Sequence, residues 1–123
     1  MRDAQQRARI EQWMDWQATE FNNAWRYAFS ALVKKSPAHQ DAGQIAAGIA
    51  SWNRHAAIVE RHLAQDGAFM TGATFTLADI VIGLSLRRWK LAPIARPALP
   101  AIDAYLARLA QRPGYLAWAA DWT

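Results

Sequence analysis

The fold class this sequence predicts is all-α, in about five helices, and three observations predict it. Apolar residues recur at steps of three and four in several long segments. No segment alternates convincingly at period two. Proline or glycine separates most segments from the next. A chain of 123 residues has room for one domain and a real core, burying roughly two-thirds of the unfolded chain's surface. Hydrophobic residues make up 53% and there are seven tryptophans, which argues against disorder.

The first helix is predicted from near Asp3 to about Lys35. Ile10, Met14, Phe21, Trp25, Ala28 and Leu32 fall on one stripe, with Ala18 filling the gap. Lys34 and Lys35 suit the C-terminal dipole, and Ser36-Pro37 stops the helix. So long a helix is a candidate for a kink. Trp13, Trp16 and Tyr27 lie off the stripe, and two readings stay open for them: ordinary core on a wide face, or a partner surface. The second helix spans Asp41 to Gln65. Its seam of Ile45, Ile49, Trp52, Ala56, Val59 and Leu63 suits antiparallel packing on the first. Gly43 and Gly48 weaken a helix and read as points of close approach between helices. His55 and His62 stand seven apart with His39 in the preceding loop. Zinc sites on a helix prefer histidines four apart with a carboxylate, so these read as polar surface and no metal is expected.

The third helix runs from Leu77 to about Lys90. Thr76 and Asp79 stand three apart before an apolar run, the spacing of a capping box. Each side chain can reach the other's backbone amide, satisfying two orphan donors at the helix start. Phe75 before the cap and Ile80 at the fourth position form a hydrophobic staple. Ile80, Val81, Ile82 and Leu84 make this helix apolar nearly all round, a buried nucleus. Its end gathers Arg87, Arg88 and Lys90 where the dipole favours cations. Pro93 and Pro97 bracket a rigid connection. A fourth helix from Leu99 to Gln111 buries Ile102, Leu106 and Leu109, with Pro100 in its first turn. Pro113 opens a last short helix carrying Tyr115, Leu116 and Trp118.

Composition also bounds function. No stretch approaches the roughly 18 uncharged apolar residues of a membrane span, and the N-terminus lacks a signal-peptide pattern, so no membrane partner is expected. The absence of cysteine removes disulfides and thiol nucleophiles and permits the cytoplasm, the expected location. A net charge of +4 reads as solubility rather than nucleic-acid binding. There is no phosphate loop, nucleophile elbow or His-x-x-x-His.

Gly72-Ala73-Thr74-Phe75-Thr76-Leu77-Ala78-Asp79-Ile80 resembles the G-x-x-[FY]-[ST]-x-[AG]-D-[IVL] signature of the all-helical C-terminal domain of cytosolic glutathione transferases. Trp13-Met14-Asp15-Trp16-Gln17-Ala18-Thr19-Glu20-Phe21 is similar to the first long helix of this domain in bacterial members. The run from Arg96-Pro97-Ala98-Leu99-Pro100 through Arg112-Pro113-Gly114-Tyr115 is similar to their last two helices. The resemblance covers nearly the whole chain, residues 1–123, in the right order.

This resemblance implies a domain that walls the pocket for a hydrophobic electrophile. Glutathione, the co-substrate, would be held mainly by a thioredoxin-like N-terminal domain that this chain lacks. It implies a homodimer built on the first two helices, and no catalytic residue in this chain. The positions it marks for substrate binding are Asn22, Asn23, Trp25 and Arg26 on the first helix and Arg88 and Trp89 at the end of the third. Asn22 and Arg26 are four apart and share a helix face. Some relatives place a His–Lys pair where this chain has Asn22 and Asn23, which leaves the subclass open. A second class stays open beside the enzyme: a non-catalytic interaction module, since similar helical domains dock translation factors and synthetases. The Trp-x-x-Trp-x-Ala-Thr-Glu stretch favours the bacterial enzyme.

Overall fold

The structure is a computed structural model and describes residues 2–66 and 68–112. The long first helix is present as α1 (Arg2–Trp16) and α2 (Asn22–Leu32), joined by a π-helical turn at Gln17–Phe21. Backbone angles stay helical on both sides of the turn, with φ −60 and ψ −43 at Trp16 and φ −58 and ψ −44 at Asn22. The axis therefore continues while the face it presents is reset, because a π turn carries more residues than an α turn. Ile10, Trp13 and Met14 pack on the core before the turn, and Phe21, Trp25 and Ala28 are buried after it. The reset corrects two expectations from periodicity. Ala18 is exposed and Gln17 faces inward in its place, donating to Ser85 Oγ at 2.8 Å. Ala31 is buried where Leu32 was expected to be, and Leu32 is half-buried. The helix also ends sooner than expected, because Lys35 adopts φ 53, in the left-handed region.

Helix α3 (Ala42–Asp66) returns along α2. Gly48 lies against Ala28, Trp52 against Trp25 at 5.9 Å, and His55 over Phe21 at 6.4 Å. As one number rises the other falls, so the pair is antiparallel, as its seam predicts. A Cβ on Gly48 would sit 3.2 Å from that of Ala28, which confirms close approach there. Gly43 is different: it is exposed, and a Cβ there would meet only Asp41. Asp41 caps this helix, its carboxylate accepting from the Gln44 amide at 2.8 Å.

Helix α4 (Leu77–Leu91) packs against α1, α3 and α5 (Pro100–Ala110), and α5 in turn lies against α3. Ala78, Asp79, Ile82, Gly83, Ser85, Leu86 and Trp89 are buried along α4. With no side-chain cap of its own, α5 borrows one: Glu60 of α3 accepts from the Ala101 and Ile102 amides at 2.9 and 2.8 Å. No strand forms among the described residues, where the sole bridge pairs Phe69 with Gly72 around a glycine at φ 132. The helix predicted from Pro113, with Tyr115, Leu116 and Trp118, lies outside the described residues.

Candidate functional site

The first turn of α4 is the expected capping box, enlarged. Thr76 is extended, at φ −138 and ψ 179, and its amide donates to Asp79 Oδ2 at 2.8 Å. The second carboxylate oxygen, Oδ1, accepts from the Met70 amide at 2.8 Å and from the Tyr105 hydroxyl at 2.6 Å. One fully buried side chain therefore ties the 68–72 turn and α5 to the start of α4. Around it, His62 donates to the Met70 carbonyl, and Gln6 donates to Thr71 Oγ1 at 3.0 Å. Phe75 meets Phe69 edge-on at 6.0 Å and lies 3.8 Å beneath the Arg112 guanidinium; Ile80 is half-buried. Every oxygen of Asp79 is engaged by the fold. This end of α4 is built to hold, not to react.

His55 and His62 are not the polar surface expected of them. His62 sits 4.6 Å from the Trp13 ring and His55 5.9 Å from Trp16, so both imidazoles fill space between α1 and α3. Trp13 and Trp16 are thereby half-buried against the core. Among the described residues no group of side chains could hold a metal ion.

At the opposite end of α4 the chemistry differs. The Arg88 guanidinium lies 4.4 Å over Trp25 and 4.7 Å over Phe29. Burial pushes its pKa down from the ordinary arginine value to about 10. A cleft of about 170 Å³ opens beside it, lined by Phe29, Val33, Leu84, Arg87, Arg88, Leu91 and Ala92. Val33 and Leu91, at the mouth of this cleft, are 42% and 57% exposed; Leu77, at the other end of α4, is 60% exposed. A larger cleft of about 570 Å³ lies at the far end, between Arg9, Gln12, Trp13, His62 and the 70–72 turn. Its Thr71 and His62 already bond to Gln6 and Met70, so it offers less chemistry despite its size.

The six residues marked from sequence divide between these surroundings. Trp25 and Arg88 are brought together. Trp89 is buried, its indole N–H donating to Asn53 Oδ1 at 2.8 Å, while Asn53 donates to the Ala95 carbonyl. It pins α4 to α3 and to the connection before α5. Asn22 is half-buried and accepts from Gln17 at 3.2 Å; Asn23 and Arg26 are exposed. Sequence reasoning missed Phe29, Val33, Leu84, Arg87 and Leu91. The signal was there: Leu84, Arg87 and Leu91 stand three and four apart, as one face of a helix should, and Phe29 and Val33 four apart.

Comparison with known proteins adds the family context. The model of the glutathione S-transferase C-terminal domain matches residues 42–121. The theta class glutathione S-transferase of the citrus canker pathogen Xanthomonas axonopodis pv. citri is similar in two solved structures, one with glutathione bound and one apo. Each superposes with a TM-score of 0.85 at 33% identity over 94% of this chain. This chain spans 60% of the length of those structures. No curated protein matches it.

Proposed function

We propose a function from one premise: this chain belongs to the glutathione S-transferase family, as its C-terminal domain. In this reading the chain supplies the helical wall of the co-substrate pocket of a glutathione transferase. The cleft between the ends of α2 and α4 receives the apolar electrophile. A thioredoxin-like N-terminal domain holds glutathione and closes the pocket. The observation that carries the proposal is the exposure of Val33 and Leu91 around an aromatic and arginine-lined cleft. Pockets for small molecules have this make-up, apolar walls with a few orienting polar groups. Leu77 at the other end of α4 is also exposed, at 60%, but among the described residues no cleft of this make-up adjoins it. The homodimer and the cytoplasmic location belong to the same proposal.

Two measurements test it. Titration of the ¹⁵N-labelled chain with a neutral aromatic compound should shift the amide signals of Phe29, Val33, Leu84 and Leu91 together. Shifts confined to the Trp13–His62 cleft would place the pocket elsewhere. The 123-residue chain should also give no turnover of glutathione with an aryl halide above background. Thiol activation needs a hydrogen-bond donor poised at sulfur, and the proposal assigns that donor to the other domain. Enzyme-dependent turnover by this chain alone would overturn that assignment.

A further inference from the structure

The π turn at Gln17–Phe21 interrupts a helix that periodicity alone would run straight through, and it contains no proline or glycine. Locally it is helped by Thr19, whose hydroxyl donates to the Asp15 carbonyl at 2.7 Å. Its closing bond is shared, the Asn22 amide donating to both the Gln17 and Thr19 carbonyls. A π turn is rare beside an α turn, so contacts from other helices must hold it.

Those contacts lie on α4 and α3. Gln17 uses both hydrogens of its amide, donating to Ser85 Oγ at 2.8 Å and to Asn22 Oδ1 at 3.2 Å, and Ser85 is buried on α4. Trp16 lies 5.1 Å from Phe21 and 5.9 Å from His55, and Trp13 lies 4.6 Å from His62. In an unbroken α-helix, at about 100° per residue, Trp16 would point about 140° away from Phe21, five residues on. The π turn is therefore what carries Trp16 round to the side of Phe21 and onto α3. An α-helix one residue shorter would do the same, since residues four apart differ by only about 40°.

We infer that Gln17–Phe21 is a register switch with Gln17 as its latch. In the latched state the π turn holds Trp13 and Trp16 against the imidazoles of α3. With the latch released, α1 and α2 run on as one α-helix, Ala18 turns toward the core and Trp16 turns to solvent. Two discrete registers exist because Ala18 fits the apolar stripe and Gln17 fits Ser85. The switch joins α1 to the helix that carries Trp25 and Phe29, so a contact that favours either register is felt on both sides of the turn. It stands independently of the pocket reading.

Fluorine NMR of the chain labelled with 5-fluorotryptophan tests this, because each of the seven tryptophans reports separately. The Trp16 signal is assigned by Trp16→Phe, and its shift between light and heavy water reads its exposure. Gln17→Ala removes both hydrogen bonds and should raise the population with Trp16 in solvent roughly tenfold, leaving Trp25, Trp52 and Trp89 unmoved. Ser85→Ala should move the Trp16 signal in the same direction, and it keeps the test valid if Gln17→Ala does not fold. Deletion of Ala18 in the Gln17→Ala chain should return Trp16 to its wild-type exposure, because the shortened α-helix keeps it beside Phe21. Exposure that this deletion does not undo would overturn the switch. Movement of all the tryptophans together would overturn it as well, since that reports unfolding. A Trp16 signal at its wild-type position in both variants would show that the turn needs no latch, and the inference would fall.

Discussion

The two ends of α4 are one helix in two kinds of surroundings. At its start, Asp79 is fully buried and its oxygens accept from two backbone amides and a phenol. At its finish, Leu91 is 57% exposed, much as Leu77 is 60% exposed at the first residue, but here three cations stand within one turn, with Lys90 in a surface ion pair with Asp103. Charge is expensive inside a protein unless every hydrogen bond is made, so the first arrangement persists only where neighbouring elements are fixed around it. Exposed apolar surface beside arginine is the reverse case, a local deficit that a ligand or another domain can remove. The lesson is that the motif most conspicuous in the sequence marks what holds the domain together. The less conspicuous end is where the proposed pocket wall lies.

Substitutions can break this contrast, and the largest effect belongs to the sealed end. Asp79→Ala removes the cap and leaves the Met70 amide and the Tyr105 hydroxyl without their acceptor in the interior. A lost cap costs about 1 kcal/mol and each buried unpaired donor about 1–3 kcal/mol, so a loss of about 3 kcal/mol or more is expected. Urea denaturation reads it directly, and a wild-type midpoint would overturn the structural account of the motif. Tyr105→Phe removes a single donor from the same carboxylate and keeps the ring, so about 1 kcal/mol should be lost, again by urea midpoint. At the open end the numbers should be smaller. Lys90→Ala breaks a pair whose partners are 46% and 50% exposed, and such pairs contribute about 1 kcal/mol or less. The thermal midpoint should shift little, and less still in high salt. Leu91→Asp should change stability least, within about 0.5 kcal/mol, yet abolish the ligand-induced amide shifts at Phe29 and Val33. A Leu91→Asp chain that unfolds readily would show that the two ends are not different in kind.

Much of the domain was legible in the residues. The a/d seam of α3, the Thr76–Asp79 box and Pro100 in the first turn of α5 are local patterns, and each is where the structure has it. The phase of the first helix was not legible. A π turn adds a residue between Trp16 and Asn22 without any proline or glycine to announce it, and an assumption of constant period then puts Ala18 where Gln17 belongs. The histidines failed for a related reason. Spacing along one helix argues against a metal site, but it cannot say that Trp13 and Trp16 of another helix will lie across them.

By itself, then, the sequence determined most of the described helices and where they start, because local caps, breakers and apolar periodicity act over three or four residues and need no partner. It also carried the family, through the capping stretch that the fold does use. Only the tertiary structure decided which end of α4 is closed. The Met70 amide and the Tyr105 hydroxyl reach Asp79 from nine and 26 residues away, and Glu60 caps α5 from 41 and 42 residues away. Such contacts form only after the helices have packed. Hydrophobic burial selects that packing over the whole chain at once, whereas the hydrogen bonds that seal it belong to particular pairs.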